Sequence, residues 1–191
     1  MENARFAYFP NLEKILNDAE AMEKSVKSNA DPRVFWDLAD PHKQKLYNFI
    51  HKSLSFSAES DDVFQETLLR GLKYFPSYHR EKSFSTWLFA IAHNEIRKHF
   101  KNLHRDMPLP LAESLIRGAE QTNLHLVREV YRFADSLKPK HKEIFFLFYD
   151  SGFSVAEISR VTGVREGNVK FILNRARNSL RERLGANHGN P

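Results

Sequence analysis

Apolar residues recur with a helical period through nearly every segment of this chain, and no window alternates apolar and polar residues long enough to make a strand. Three runs keep that period: Phe35 to Leu54, Asp61 to Phe75 and Phe84 to Phe100. Helices striped in this way bury their apolar faces only by packing on one another, so the expected fold class is all-α. Ser60 or Asp61 is placed to cap the second run, Pro76 to close it, and Ser83 or Ser85 to cap the third. Between Lys101 and Asn123 the period lapses around Pro108 and Pro110. It returns with Leu124, Val127, Val130, Tyr131 and Ala134, then with Ile144, Phe145 and Phe148. The pattern predicts two small helical domains, 33–102 and 123–186, joined by a flexible linker, 103–122. A segment at 1–32, with Leu12, Ile15, Leu16, Ala19 and Met22 at helical spacing, forms an N-terminal extension, and 187–191 a tail.

The absence of cysteine among 191 residues excludes disulfides, thiolate zinc sites and cysteine nucleophiles. No stretch approaches the roughly 20 apolar residues that span a bilayer, and the start, MENARFAYFPNLEK, lacks a basic region followed by an apolar run. The expectation is a cytoplasmic protein with no direct membrane insertion. Motifs for phosphate cradles or nucleophile elbows are missing, and the nine histidines are scattered; His93 and His99, six apart, do not share a helix face. The chain is therefore expected not to be an enzyme: no catalytic residues, no metal, no cofactor and no small-molecule substrate.

Charge is unevenly placed. Met1 to Asp40 holds eight acidic residues against five basic, whereas Ile158 to Leu184 holds seven basic against two acidic. Within the basic part, Ser154-Val155-Ala156-Glu157 has the form of a capping box, and Thr162-Gly163 allows the tight turn after which Val164 restarts the apolar pattern. Ile158, Val164, Val169 and Ile172 can fill the angle between two helices, leaving Arg165, Glu166, Asn168, Lys170, Asn174, Arg175 and Arg177 wholly or partly outside. This is a helix-turn-helix pattern, in which the second helix enters a major groove and basic flanks hold phosphates. A plain helical hairpin would share the box and the turn; the basic stripe favours DNA.

The segment Asp61-Asp62-Val63-Phe64-Gln65-Glu66-Thr67-Leu68-Leu69-Arg70 resembles the second conserved region of bacterial sigma factors, and Ser83-Phe84-Ser85-Thr86-Trp87-Leu88 through His93-Asn94 resembles the element that follows it. Leu137-Lys138-Pro139-Lys140 through Asn168-Val169-Lys170 to Arg175-Ala176-Arg177 is similar to the fourth conserved region. With no intermediate region, the chain resembles the extracytoplasmic-function (ECF) group. The resemblance implies a factor that binds core RNA polymerase through its β and β′ subunits and directs initiation at promoter DNA. Asp61, Asp62, Gln65, Glu66, Leu69 and Arg70 would bind polymerase. Tyr78, His79, Arg80 and Lys82 in the loop, with Asn94, Arg97, Lys98 and Lys101 on the next helix, would recognise and melt the -10 element. The seven outer residues of the helix-turn-helix would bind the -35 element. It also implies an anti-sigma factor as partner.

Aromatic stacking and a basic track suit an opened strand, which is the physical case for the loop. The spacing of Phe84 and Trp87 instead places them in the bundle core. The carboxylates of Asp61, Asp62 and Glu66 are favoured near a helix start with or without a partner. The family often has arginine where His93 stands and aspartate where Lys98 stands, and a common V-K-S-R-L is here Val169-Lys170-Phe171-Ile172-Leu173. Phe171 is left with two options, a thymine methyl or packing on its own domain. Two other readings keep the fold: a helix-turn-helix regulator, and a sigma-like decoy that binds an anti-sigma factor. A regulator has no need of the Asp61 to Arg70 helix, and a decoy none of a basic recognition helix.

Overall fold

The computed structural model describes residues 31–103 and 121–187. Most of the expected extension, linker and tail lies outside them. Helix α1 (Pro32–Ser53) opens where the Asp31 carboxylate accepts the Arg33 amide at 2.9 Å, with Pro32 in the first turn, where its missing N–H costs nothing. It runs through Pro41, which lies on the solvent side. Helix α2 (Ser60–Tyr74) begins one residue before the predicted run, with Glu59 at the cap and no side-chain capping bond. Neither Ser60 nor Asp61 caps it: Ser60 is buried in the first turn, and Asp61 turns to His51 on α1. A single 3₁₀ turn, Phe75–Ser77, absorbs Pro76. Helix α3 (Phe84–Leu103) is capped by Ser83, whose hydroxyl accepts the Thr86 amide at 3.4 Å.

These three helices close around Phe35, Leu46, Phe49, Leu88 and Phe89, all at most 1% exposed. Helix α2 approaches closely at Gly71, where an added Cβ would lie 3.0 Å from the Phe35 ring and 3.2 Å from Leu88 Cδ1. Phe84 joins that core as its spacing predicts, edge-on to Phe35 and Phe75, while Trp87 is half-buried against the cluster.

The second unit comprises α4 (Gln121–Asp135), α5 (Pro139–Tyr149), α6 (Val155–Thr162) and α7 (Glu166–Asn187). Six consecutive residues of α5, Lys142 to Leu147, are buried, so this helix is covered on every side. Three of its neighbours are α4, α6 and α7, and the fourth is α1 of the first domain. A second contact between domains sets α3 against α6.

That interface joins the apolar cores of the two domains into one cluster and carries a set of buried polar contacts beside it. His93 on α3 lies with Nδ1 2.5 Å from Glu143 Oε2, both side chains at most 5% exposed. The Lys142 ammonium donates to Asp135 Oδ1 at 2.6 Å and to the hydroxyl of Ser55, which itself donates to Asp135 at 2.9 Å. Burial pushes Lys142 below the ordinary lysine range, against the opposing pull of Asp135. Lys52 pairs with Asp150 and sits 5.6 Å from the Tyr131 ring centroid. Phe89 packs on Phe153 with centroids 4.8 Å apart. Ser55 and Phe56, which join α1 to α2, hold left-handed φ of 52° and 58°, a conformation costing about 1–3 kcal/mol each for such residues. It aims Ser55 at Asp135 and the Phe56 ring at Tyr131.

Two substitutions test this packing. Gly71→Ala forces a methyl against the Phe35 ring and should cost about 1–3 kcal/mol of unfolding free energy in denaturant titration. Glu143→Ala strands the buried His93 and should cost a similar ~1–3 kcal/mol, with a larger radius of gyration by X-ray scattering as the domains part. Glu143→Gln retains an acceptor and should lose less.

Candidate nucleic-acid interface

Three surfaces carry the residues singled out from sequence. On α2, Asp62, Gln65 and Leu69 are exposed, Leu69 by 59%. The other three of that set are engaged. Asp61 lies 3.1 Å from His51 Nε2, and Arg70 donates to Glu66 at 2.6 Å while also pairing at 3.0 Å with the buried Glu95 of α3. The Glu66 hydrogen bond and then the Glu95 charge raise the Arg70 pKa, so this guanidinium ties α2 to α3 with its charge already matched. The α2 surface is therefore an apolar Leu69 among polar neighbours, and Lys73 and the exposed Tyr74 extend it. Those two were not foreseen, because an exposed tyrosine at a helix end carries no periodic signal.

The second surface is α3 with the loop before it. Asn94, Arg97, Lys98 and Lys101 fall at i, i+3, i+4 and i+7 and all are exposed, forming one basic stripe. Lys98, where the family often carries the opposite charge, reaches Glu95 at 3.7 Å. His79, Arg80 and Lys82 are exposed on the loop. Tyr78 differs from the sequence expectation. It is 5% exposed, packed between Phe84 and Trp87, and its hydroxyl donates to the Lys82 carbonyl, so it anchors the loop and offers no face for stacking. Asn94 lies eleven residues on from Ser83, about 16 Å along the helix, so the loop sits at the start of α3 and the stripe along its second half. His93, between them, faces inward to Glu143.

The third surface is the helix-turn-helix, α6 and α7. The Ser154 hydroxyl accepts the Glu157 amide at 3.3 Å, and the Glu157 carboxylate accepts the Ser154 amide at 2.9 Å, completing the capping box. Helix α6 stops at Gly163, φ 69°, and Thr162 bridges the turn by donating to the Ile158 carbonyl and accepting the Val164 amide. Ile158, Val161, Val164, Val169 and Leu173 are buried between the helices. Arg165, Glu166, Asn168, Lys170, Asn174, Arg175 and Arg177 are all exposed. Arg177 turns back to donate to the Tyr149 hydroxyl at 3.3 Å, which leaves Arg165 just before the helix and the other five on its forward part. Among the described residues no group of three histidine, cysteine or carboxylate side chains is placed to hold a metal ion.

Comparison with known proteins follows the same division. Residues 38–106 match the family model Sigma-70 region 2, and residues 128–180 match Sigma-70, region 4. The ECF RNA polymerase sigma factor EcfG of Rhodopseudomonas palustris is 35% identical over 133 residues, covering 67% of this chain and 73% of its own. SigW of Bacillus subtilis, also an ECF sigma factor, is 27% identical over 176 residues, covering 84% and 94%. Among solved structures, CnrH in complex with the cytosolic domain of CnrY aligns at TM-score 0.62 and 24% identity over 87% of this chain and 98% of that one. The sigma factor RpoE in complex with the anti-sigma factor NepR from Bartonella quintana aligns at 0.60 and 21%, over 78% and 98%. At these identities the two structures establish the fold.

The capping box makes the turn sensitive to acid. Hydrogen bonds from the Ser154 hydroxyl and then its amide hold the Glu157 carboxyl below its ordinary value. A depressed folded pKa contributes stability that is present above the unfolded value of 4.5 and is lost as pH falls through the folded one. Ser154→Ala should cost about 1 kcal/mol at neutral pH and flatten this acid limb in unfolding midpoints followed against pH.

Proposed function

The chain belongs to the ECF RNA polymerase sigma factors, and from that premise we propose how its three surfaces divide the work of initiation. The exposed face of α2, centred on Leu69 with Asp62 and Gln65, binds core RNA polymerase by mixed apolar and polar contacts. The loop His79 to Lys82 and the stripe Asn94, Arg97, Lys98 and Lys101 hold the -10 element as it opens, the loop by charge rather than by Tyr78. The helix-turn-helix lays α7 in the major groove of the -35 element. The observation that carries this reading is the presence, in one chain, of a basic helix-turn-helix and a separate α2 face that exposes the apolar Leu69 among polar side chains. A simple repressor would need only the first, and a decoy only the second.

Promoter elements lie apart along DNA, so the α1–α5 and α3–α6 contacts between domains are broken when both are engaged. Polymerase binding supplies the free energy for that separation. An anti-sigma factor as the opposing partner draws support from the two structural relatives, one solved with the anti-sigma factor NepR and one with the cytosolic domain of CnrY. No helix among the described residues is long and apolar enough to cross a membrane.

The test is transcription in vitro by purified core RNA polymerase on a pool of promoters, with and without the full chain. The chain should create new start sites. Replacing Gln65 and Leu69 together by alanine should weaken polymerase binding about tenfold without lowering the thermal midpoint, since both side chains are exposed. Absence of new transcripts, together with tight binding of the chain alone to duplex DNA, would establish the repressor instead.

A further inference from the structure

Phe171 is 63% exposed, and it is the one large apolar side chain so exposed on α7 among the described residues. The two options left by the sequence are thereby separated, because the ring does not pack on its own domain. The helical period gives its direction. Val169, Leu173 and Ala176 are buried and Ile172 half-buried, which fixes the inner face of α7; Gly167, Phe171, Asn174 and Asn178 fall on the opposite side. Gly167, one turn earlier, opens onto empty space, so nothing on the helix stands in front of the ring.

We infer that Phe171 is a specificity-determining residue that reads the 5-methyl group of thymine in the major groove of the -35 element. The inference rests on the reading that α7 enters that groove. The surroundings favour DNA over a protein partner. Lys170, Asn174 and Arg175 flank the ring and are exposed, a setting that suits phosphates and base edges. A protein docking site would be expected to join several apolar side chains into a patch, and here the ring stands alone on its helix. A single ring meets a single methyl, the one apolar feature that the groove displays.

The probe is the best-transcribed duplex promoter from the pool, bound by holoenzyme assembled from the full chain and core polymerase. Each thymine of its -35 element is replaced in turn by deoxyuridine, which removes the methyl and leaves every hydrogen bond in place. Wild type should bind about fourfold more weakly at one or two positions, the effect of one buried methyl. Phe171→Ala should bind thymine and deoxyuridine equally, and Phe171→Leu should recover part of the difference. Neither variant should lower the thermal midpoint. The Lys170→Ala, Arg175→Ala double variant serves as control. If it loses binding while Phe171→Ala keeps the full deoxyuridine penalty, or wild type shows none, the role of Phe171 is overturned and the groove reading stands. If the double variant binds as wild type does, the groove reading fails, and the inference with it.

Discussion

Burial of α5 on all sides is the constraint on which the rest of the arrangement depends. A helix whose residues from Lys142 to Leu147 are all covered needs a fourth neighbour, and the second domain alone supplies three. Helix α1 is that neighbour. Its last turn brings Lys52 to Asp150, and the left-handed Ser55-Phe56 step that follows delivers a hydroxyl to Asp135 and a ring to Tyr131. The free energy stored in that step is offset by the bonds it aims.

The polar part of this interface is suited to being opened. Lys142, Glu143 and His93 are ionisable groups that water accepts readily once the domains part, whereas an all-apolar seam would leave a large hydrophobic surface exposed. The paired side chains hold the closed form to one geometry. Phe89 on Phe153 and Phe56 on Tyr131 are ring contacts across it, and both are lost on separation.

Much of the fold was legible because it rests on local rules. The helical period located the helices among the described residues, and the Ser154 box and Gly163 turn have the geometry that their residue types demand. Local rules failed where tertiary contacts outbid local preference. Ser60 is drawn into the core instead of capping α2, and Tyr78 fills a gap between Phe84 and Trp87 that no spacing reveals. The engagement of Arg70 with Glu95 needed the position of α3. One signal was present but ambiguous: Lys142 and Glu143 stand just before an apolar run at positions the helix turns inward, and His93 stands where a fixed charge is common in the family. Each is the trace of a partner in the other domain.

The two kinds of surface are treated differently by the closed form. The seam takes in α5, the α6 side of the helix-turn-helix, and the His93 side of α3. It leaves exposed Leu69 on α2, the stripe from Asn94 to Lys101, and the outer side of α7 with Phe171. The closed form therefore restrains these residues by placement and not by coverage. What the seam fixes is the placement of the two domains relative to one another. Restraint by geometry has a consequence that restraint by coverage lacks. Leu69 on α2 stays exposed while the chain is closed, so a partner that engaged it would meet the closed form first, with the contacts at His93, Ser55 and Lys52 still made.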